Sequence, residues 1–233
     1  MIGLASCAVS IGSLQHRANS YTVAGHVTTL VVTNQAGDVA VTGGSSDTIS
    51  VTERISFRGT APATSHRSAA GTLSLSSNCP AAETCTVDYT VTAPRATTVR
   101  IADGAGTVTL GSLGGPVTAR VKAGNIRLSS LAGSVAASSN AGSISGQHLS
   151  SATASLHVSA GRIDVAFSAP AAAITATTDV GAITVRVPGT VQYHVITSAT
   201  VGGVHVSVSR STAASRTITA STKTGSISIE PSA

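Results

Sequence analysis

Tryptophan is absent from this 233-residue chain, and three Tyr and two Phe supply all its aromatic content, 2% of residues. A core built on large rings is thereby excluded, so buried volume must come from Val, Ile, Leu and Ala. The same scarcity removes the platform on which single-stranded nucleic acids stack. Charge is scarce too, at 10% of residues, and the twelve Arg and two Lys behind the net charge of +5 form no basic run. With neither a basic stripe nor a recognition motif, no nucleic-acid partner is expected. A balance of this size serves solubility or a weak attraction to anionic polymers. Mean hydropathy is +0.32, yet no apolar run reaches the length of about 18 residues that a transmembrane helix needs. Amphipathic helix periodicity is missing as well. What remains is rich in Thr, Ser, Val and Ile in alternating runs, which is strand composition.

The dominant signal is a repeat. Gly106, Gly124, Gly142, Gly161, Gly181, Gly202 and Gly225 are each followed at +2 by Val or Ile, and in six of seven copies by an aliphatic at +4. Their spacings are 18, 18, 19, 20, 21 and 23 residues. Such periods signal a stack of similar coils, none able to bury its apolar face alone. Aligned on glycine, Val108, Ile126, Ile144, Ile163, Ile183, Val204 and Ile227 form one apolar column. Val99, Val117, Val135, Ala154, Ile174, Val195 and Ile218 form another at −7. Period-two alternation on either side of a glycine corner predicts an all-β, single-stranded β-solenoid (β-helix), its coils about 18–23 residues long and stacked in parallel. Gly146 interrupts the +4 column, so a local dip offset by Leu149 is expected there.

Upstream, Ala36-Gly37-Asp38-Val39-Ala40-Val41 is the same phrase. The runs 48–57, 72–76 and 86–92 read as longer antiparallel strands forming an N-terminal capping or side sheet. Residues 59–70, with Pro62, read as a loop. Glu230-Pro231 after the last repeat is expected to blunt the far edge of the stack. The organisation expected is a leader or tether over 1–19, an N-terminal β region over 20–100 and repeats over 101–233, with 20–233 one continuous domain. The looser C-terminal turns are where partner-binding loops are expected.

Three cysteines remain. Leu4-Ala5-Ser6-Cys7 fits a bacterial lipobox, whose Cys becomes the lipidated N-terminus. The apolar stretch before it is short for a signal sequence, so either the leader starts further upstream or the match is incidental. Cys79 and Cys85 flank a short segment between two strand-like runs and are expected to staple a hairpin by a disulfide, as in an oxidising compartment. A metal pair is the alternative, although Cys-x5-Cys is poor zinc spacing.

Groups for catalysis do not converge in the pattern. No two of the nine carboxylates share a column in neighbouring coils, as glycosidase pairs or a calcium cluster would require. Asp164 and Arg127 share a column but lie two coils apart. None of the seven histidines makes a His-x-His or His-x3-His pair, and a triad of His157, Asp164 and a serine is cheap to imagine in so serine-rich a chain. The glycines precede strands, so they are no phosphate loop. No enzyme activity, cofactor or metal is expected.

The phrase small-Gly-x-[Val/Ile]-x-aliphatic, in Ala36–Val41, Ala105–Leu110, Ala123–Leu128 and Ala160–Val165, resembles that of the bacterial "putative adhesin" family, a domain of unknown function related to autotransporter adhesin heads. Ser20-Tyr-Thr-Val23 ahead of Val27–Val32 is similar to actinobacterial lipoprotein members. The resemblance implies a β-solenoid at the bacterial cell surface, often lipid-anchored or membrane-tethered. With the repeat, the lipobox-like start and the lack of a catalytic cluster, the chain is expected to be lipid-anchored or secreted and to present a flat face to an anionic cell-wall polymer or a surface protein, the membrane being reached only through a lipid on Cys7. The resemblance carries no catalytic residues over. The alternatives are a polysaccharide lyase or hydrolase on a β-helix scaffold, or a structural or sensory component of the envelope.

Overall fold

The computed structural model describes residues 13–79 and 84–232. Cys7 and the lipobox lie outside the described residues. The chain opens with β1 (Gln15–Val23), β2 (Thr29–Asn34), β3 (Val39–Gly44), β4 (Ile49–Phe57), β5 (Ala63–Ala69), β6 (Thr72–Asn78) and β7 (Cys85–Pro94). Strands then alternate around the glycines as β8 (Thr98–Ala105), β9 (Val108–Gly111), β10 (Val117–Ala123), β11 (Ile126–Ser129), β12 (Val135–Ala141) and β13 (Ile144–Leu149). The series ends with β14 (Thr153–Ala160), β15 (Ile163–Phe167), β16 (Ala173–Val180), β17 (Ile183–Val187), β18 (His194–Val201), β19 (Val204–Val206), β20 (Thr217–Thr224) and β21 (Ile227–Pro231).

Among the described residues there is no helix, and the strands form two sheets. Sheet A has the order β1-β4-β7-β3-β9-β11-β13-β15-β17-β21-β19, and sheet B the order β18-β20-β16-β14-β12-β10-β8-β2-β6-β5. Pairing is parallel except for β1–β4, β4–β7 and β5–β6. Each repeat is one rung: a strand in sheet B, a corner glycine, then a strand in sheet A. Rungs stack in register, Val117 beside Val135 and Ile126 beside Ile144. The columns they form are buried in one hydrophobic core reaching from Val27 to Ile229. Each such Val or Ile contributes about 1.5–3 kcal/mol on burial.

The eight corner glycines, Gly37 included, have φ between +121° and +154°. Backbone hydrogen bonds continue through the corners, as when Gly124 N–H donates to the Ala141 carbonyl and Gly142 N–H to that of Ala160. Six residues after its glycine, the chain turns again at Ser112, Ser130 and His148, all with φ near +55°. Each turn delivers a buried leucine, Leu113, Leu131 or Leu149, to the core. At Gly146 the dip is filled: a Cβ there would lie 2.9 Å from Leu149 Cδ1 and 3.1 Å from Val165 Cγ1.

Stacking order departs from chain order at the C-terminal end. The last rung, β20–β21, inserts between β16–β17 and β18–β19. The Gly202 rung therefore forms the end of the stack, and Val204, expected inward, is 45% exposed because nothing packs on its far side. Pro231 does not blunt an edge. It sits in an interior strand beside Val187, past the end of β19, where no partner needs the N–H it lacks.

At the N-terminal end no separate side sheet forms. The β2–β3 rung stacks directly on β8–β9, and β6 and β7 continue the two sheets in parallel beyond it. Strands β4 and β1 then extend sheet A, and β5 extends sheet B, in antiparallel fashion. The segment expected as a loop holds β5, an edge strand with almost every residue exposed. It carries no apolar alternation because neither face of it is covered.

Cys79 and Cys85 form a disulfide with Cα atoms 5.7 Å apart, which rules out the metal pair. The staple is not a hairpin, since β6 belongs to sheet B and β7 to sheet A. It ties the crossing between sheets instead. A Cys79→Ser, Cys85→Ser double variant is expected to lose about 2 kcal/mol, the loop-closure figure for so short a ring, read as an earlier urea midpoint with unchanged slope.

Candidate functional site

Three places gather polar chemistry. The first is a cleft of about 360 Å³ on the outer face of sheet A, lined by Gln147, His148, Asp164, Phe167, Arg186 and Ser232 among others. Gly146 lines it only through its backbone, since the side chain it lacks would face the core, where Leu149 and Val165 fill the space. Arg186 Nη1 donates to Asp164 Oδ1 at 2.7 Å, and its Nε lies 3.6 Å from Glu230 Oε2. The inserted final rung is what brings Glu230 beside Arg186. Assuming sequential coils hid this triad of charges from the sequence. Its only cation is neutralised twice over, and these half-exposed pairs contribute little to stability. His157 lies on sheet B and Asp164 on sheet A, so the imagined triad does not assemble.

The second place is internal. Three residues before five of the eight corner glycines, the polar residues Asn34, Asp103, Ser139, Thr178 and Thr222 point inward and are buried. Asn34 Nδ2 donates to the Gly37 and Val87 carbonyls, Ser139 Oγ to the Gly124 carbonyl, and Thr222 Oγ1 to the Gly181 carbonyl. This column ties strands to corner carbonyls. Asp103 is its one acid, 3% exposed, and neither carboxyl oxygen completes a hydrogen bond of normal geometry. Burial pushes its pKa up to about 6, with the Asp38 charge adding, while the nearby Asn34 amide and Gly104 N–H pull the other way. Glu53 is likewise buried, where it accepts the Tyr21 hydroxyl at 2.7 Å. Burial and this carboxylate hold the Tyr21 and Tyr89 hydroxyls well above the usual tyrosine range. Each of these acids falls in the inward phase of its strand, Val51-x-Glu53-x-Ile55 and Ile101-x-Asp103. Two other acids are committed to the corners, Asp88 accepting the Asp38 N–H and Asp38 that of Thr107, each at 2.8 Å.

The third is an open trough on the outer face of sheet B. Two concavities, about 660 and 390 Å³, share Thr33, Ala102 and Arg120. Arg100 on β8 and Arg120 and Lys122 on β10 are exposed around them. Among the described residues the ion pairs use Arg186 and Lys223, so none of these three cations is paired. No group of three or more His, Cys, Asp or Glu among the described residues is placed to hold a metal ion. Nor, among them, is any helix long and apolar enough to cross a membrane.

No family model matches the sequence, and no curated protein matches it. Among solved structures, a putative adhesin from Bacteroides fragilis is similar at 17% identity, over 94% of this chain and 97% of that one, with a TM-score of 0.50. A putative cell adhesion protein from Clostridium sporogenes gives 10% identity over 94% and 100%, with a TM-score of 0.42. A putative adhesin from Parabacteroides merdae gives 11% over 95% and 98%, with a TM-score of 0.40. The first likeness concerns the fold alone. It supports neither an actinobacterial origin nor lipidation.

Proposed function

We propose that the chain is a non-enzymatic, extracytoplasmic β-solenoid of a bacterial envelope that binds a cell-wall polymer or a surface protein with a sheet face. The observation that supports this reading best is the outer surface of the stack. Its concavities are open to solvent, and the cleft on sheet A, where acid and base meet, ends in mutual neutralisation of Asp164, Arg186 and Glu230. A retaining or inverting glycosidase needs two carboxylates free to act on either side of a bond, and a lyase needs a free base; here the carboxylates hold an arginine. The Cys79–Cys85 disulfide is what an oxidising compartment outside the cytosol maintains. A lipid on Cys7 would tether the stack to the membrane surface. The test is co-sedimentation of the purified protein with isolated bacterial envelope material, with soluble sugar ends measured in the supernatant. Retention without release of fragments is the expected result. Release of fragments would favour the polysaccharide-active alternative, and neither retention nor release would sink the binding role.

A further inference from the structure

We infer that the trough on sheet B is a binding site for a linear, phosphodiester-linked polyanion that lies along β8; this rests on the binding role just proposed and names its ligand class. The floor comes from small residues. On β8 the outward side chains are Arg100, Ala102 and then Gly104, so the surface sinks between the outward rows of β2 and β10. Gly104 cannot be filled, because a Cβ there would strike the Gln35 carbonyl. One wall is β2, with Thr33 opposite Ala102. The other is β10, with Thr118 opposite Arg100 and Arg120 opposite Ala102. Arg100, Arg120 and Lys122 therefore follow the direction of the strands. From strand rise and spacing, successive cations are about 8 and 7 Å apart.

Among the described residues no ion pair answers this charge from within. Asp103 is the one acid that lines the larger concavity and is only 3% exposed, Asp38 is bound to the Thr107 N–H at a corner, and Asp179 is held 2.9 Å from Lys223 four strands away. Two exposed guanidinium forks and an ammonium in a row are suited to repeated phosphate oxygens, which accept from both cation types. The walls present no Trp, Tyr or Phe. Sugar rings and bases are ordinarily seated on aromatic faces, so a polymer of rings finds no platform here. An acyclic polyol phosphate needs none. Its hydroxyls meet Thr33, Gln35, Ser138 and Asn140 along the rim.

The test uses the whole folded protein and synthetic poly(glycerol phosphate) in titration calorimetry at several salt concentrations. Saturable binding is expected, with log K falling against log salt at a slope of about −2, the value for three phosphates on a single strand. An Arg100→Gln, Arg120→Gln, Lys122→Gln variant is expected to lose affinity about tenfold or more, three exposed charge contacts being removed. An Arg54→Gln, Arg127→Gln, Arg162→Gln variant carries the same change in net charge away from the trough and is expected to bind as the parent does. Equal loss in both variants, no loss in the trough variant, or polygalacturonate binding as tightly as the phosphodiester would each overturn the assignment. Circular dichroism of both variants separates lost binding from lost folding. If the trough variant still sediments with envelope material as the parent does, the trough is wrong and the binding role stands. If the parent itself is never retained, the binding role fails whatever poly(glycerol phosphate) does.

Discussion

Gly161→Ala is expected to lower stability by about 4 kcal/mol, while Gly203→Ala, a change of the same size at the corner of the end rung, stays within about 0.5 kcal/mol of the parent. Gly161 has φ +143°, a conformation side chains rarely adopt. Its Cβ would fall on the carbonyl of Gly142, the corner of the adjacent rung, and 3.3 Å from Val158 Cγ1. The obstacle is backbone on a ladder of hydrogen bonds, so relief requires two rungs to part. Gly203 has no atom within 4 Å of such a Cβ. In thermal melts of a chain this size, the first change corresponds to roughly 10 °C and the second to about a degree. Equal effects of the two substitutions would mean that the corners do not stack as described.

The second large effect depends on pH. Asp103→Asn is expected to stabilise the protein by roughly 2–3 kcal/mol at neutral pH and by almost nothing near pH 4. In the folded state the Asp103 pKa is up at about 6, from an ordinary value of 3.8. Below the ordinary value the carboxyl is protonated whether folded or not, and its burial carries no ionic cost. Between pH 4 and 6 the folded chain holds a proton that the unfolded chain releases, so stability falls as pH rises. Above 6 both states are ionised and the full cost is present. Asparagine has no such titration, and its amide can donate as Asn34 does to the Gly37 carbonyl in the next rung. The difference between the two proteins isolates Asp103 together with its coupling to the Asp38 charge. Urea unfolding of both proteins at pH 4, 5, 6 and 7.5 reads it directly, and a difference that does not change with pH would refute the burial of an ionisable Asp103.

How much of this was legible in the chain depended on whether a residue repeats. The inward columns and the corner glycines recur at a fixed offset, and alternation of apolar residues assigned them to the buried side of rungs. Gly146 and Leu149 were legible as a compensating pair for the same reason. The end of the stack was not. Spacing along the chain says nothing about which rung lies beside which, and both the Gly202 and Gly225 phrases fit the place next to Gly181 equally well. That single ambiguity hid the exposure of Val204, the interior position of Pro231 and the meeting of Arg186 with Glu230. Strands β1 and β5 were obscure on other grounds: edge strands with both faces wet carry no period-two signal. Glu53 and Asp103 were legible only by phase, since acids ordinarily lie at the surface while the alternation of their own strands turns both inward. The trough escaped notice because Arg100 and Arg120 are twenty residues apart and meet only when adjacent rungs stack.

The measurement that bears most directly on the stacked arrangement is a cross-linking comparison in a Cys7→Ser background with the native disulfide intact. Thr177 and Ser221 are directly paired, with their hydroxyl oxygens 3.4 Å apart, and Ser198 pairs with the other side of Ser221. A short thiol-bridging reagent, read by peptide mass spectrometry, is expected to join Thr177→Cys to Ser221→Cys efficiently. It should leave Thr177→Cys and Ser198→Cys unjoined, two strand spacings or about 10 Å apart. Linkage of 177 to 198 without linkage of 177 to 221 would mean that the rungs stack in chain order, and the inserted C-terminal rung would be wrong.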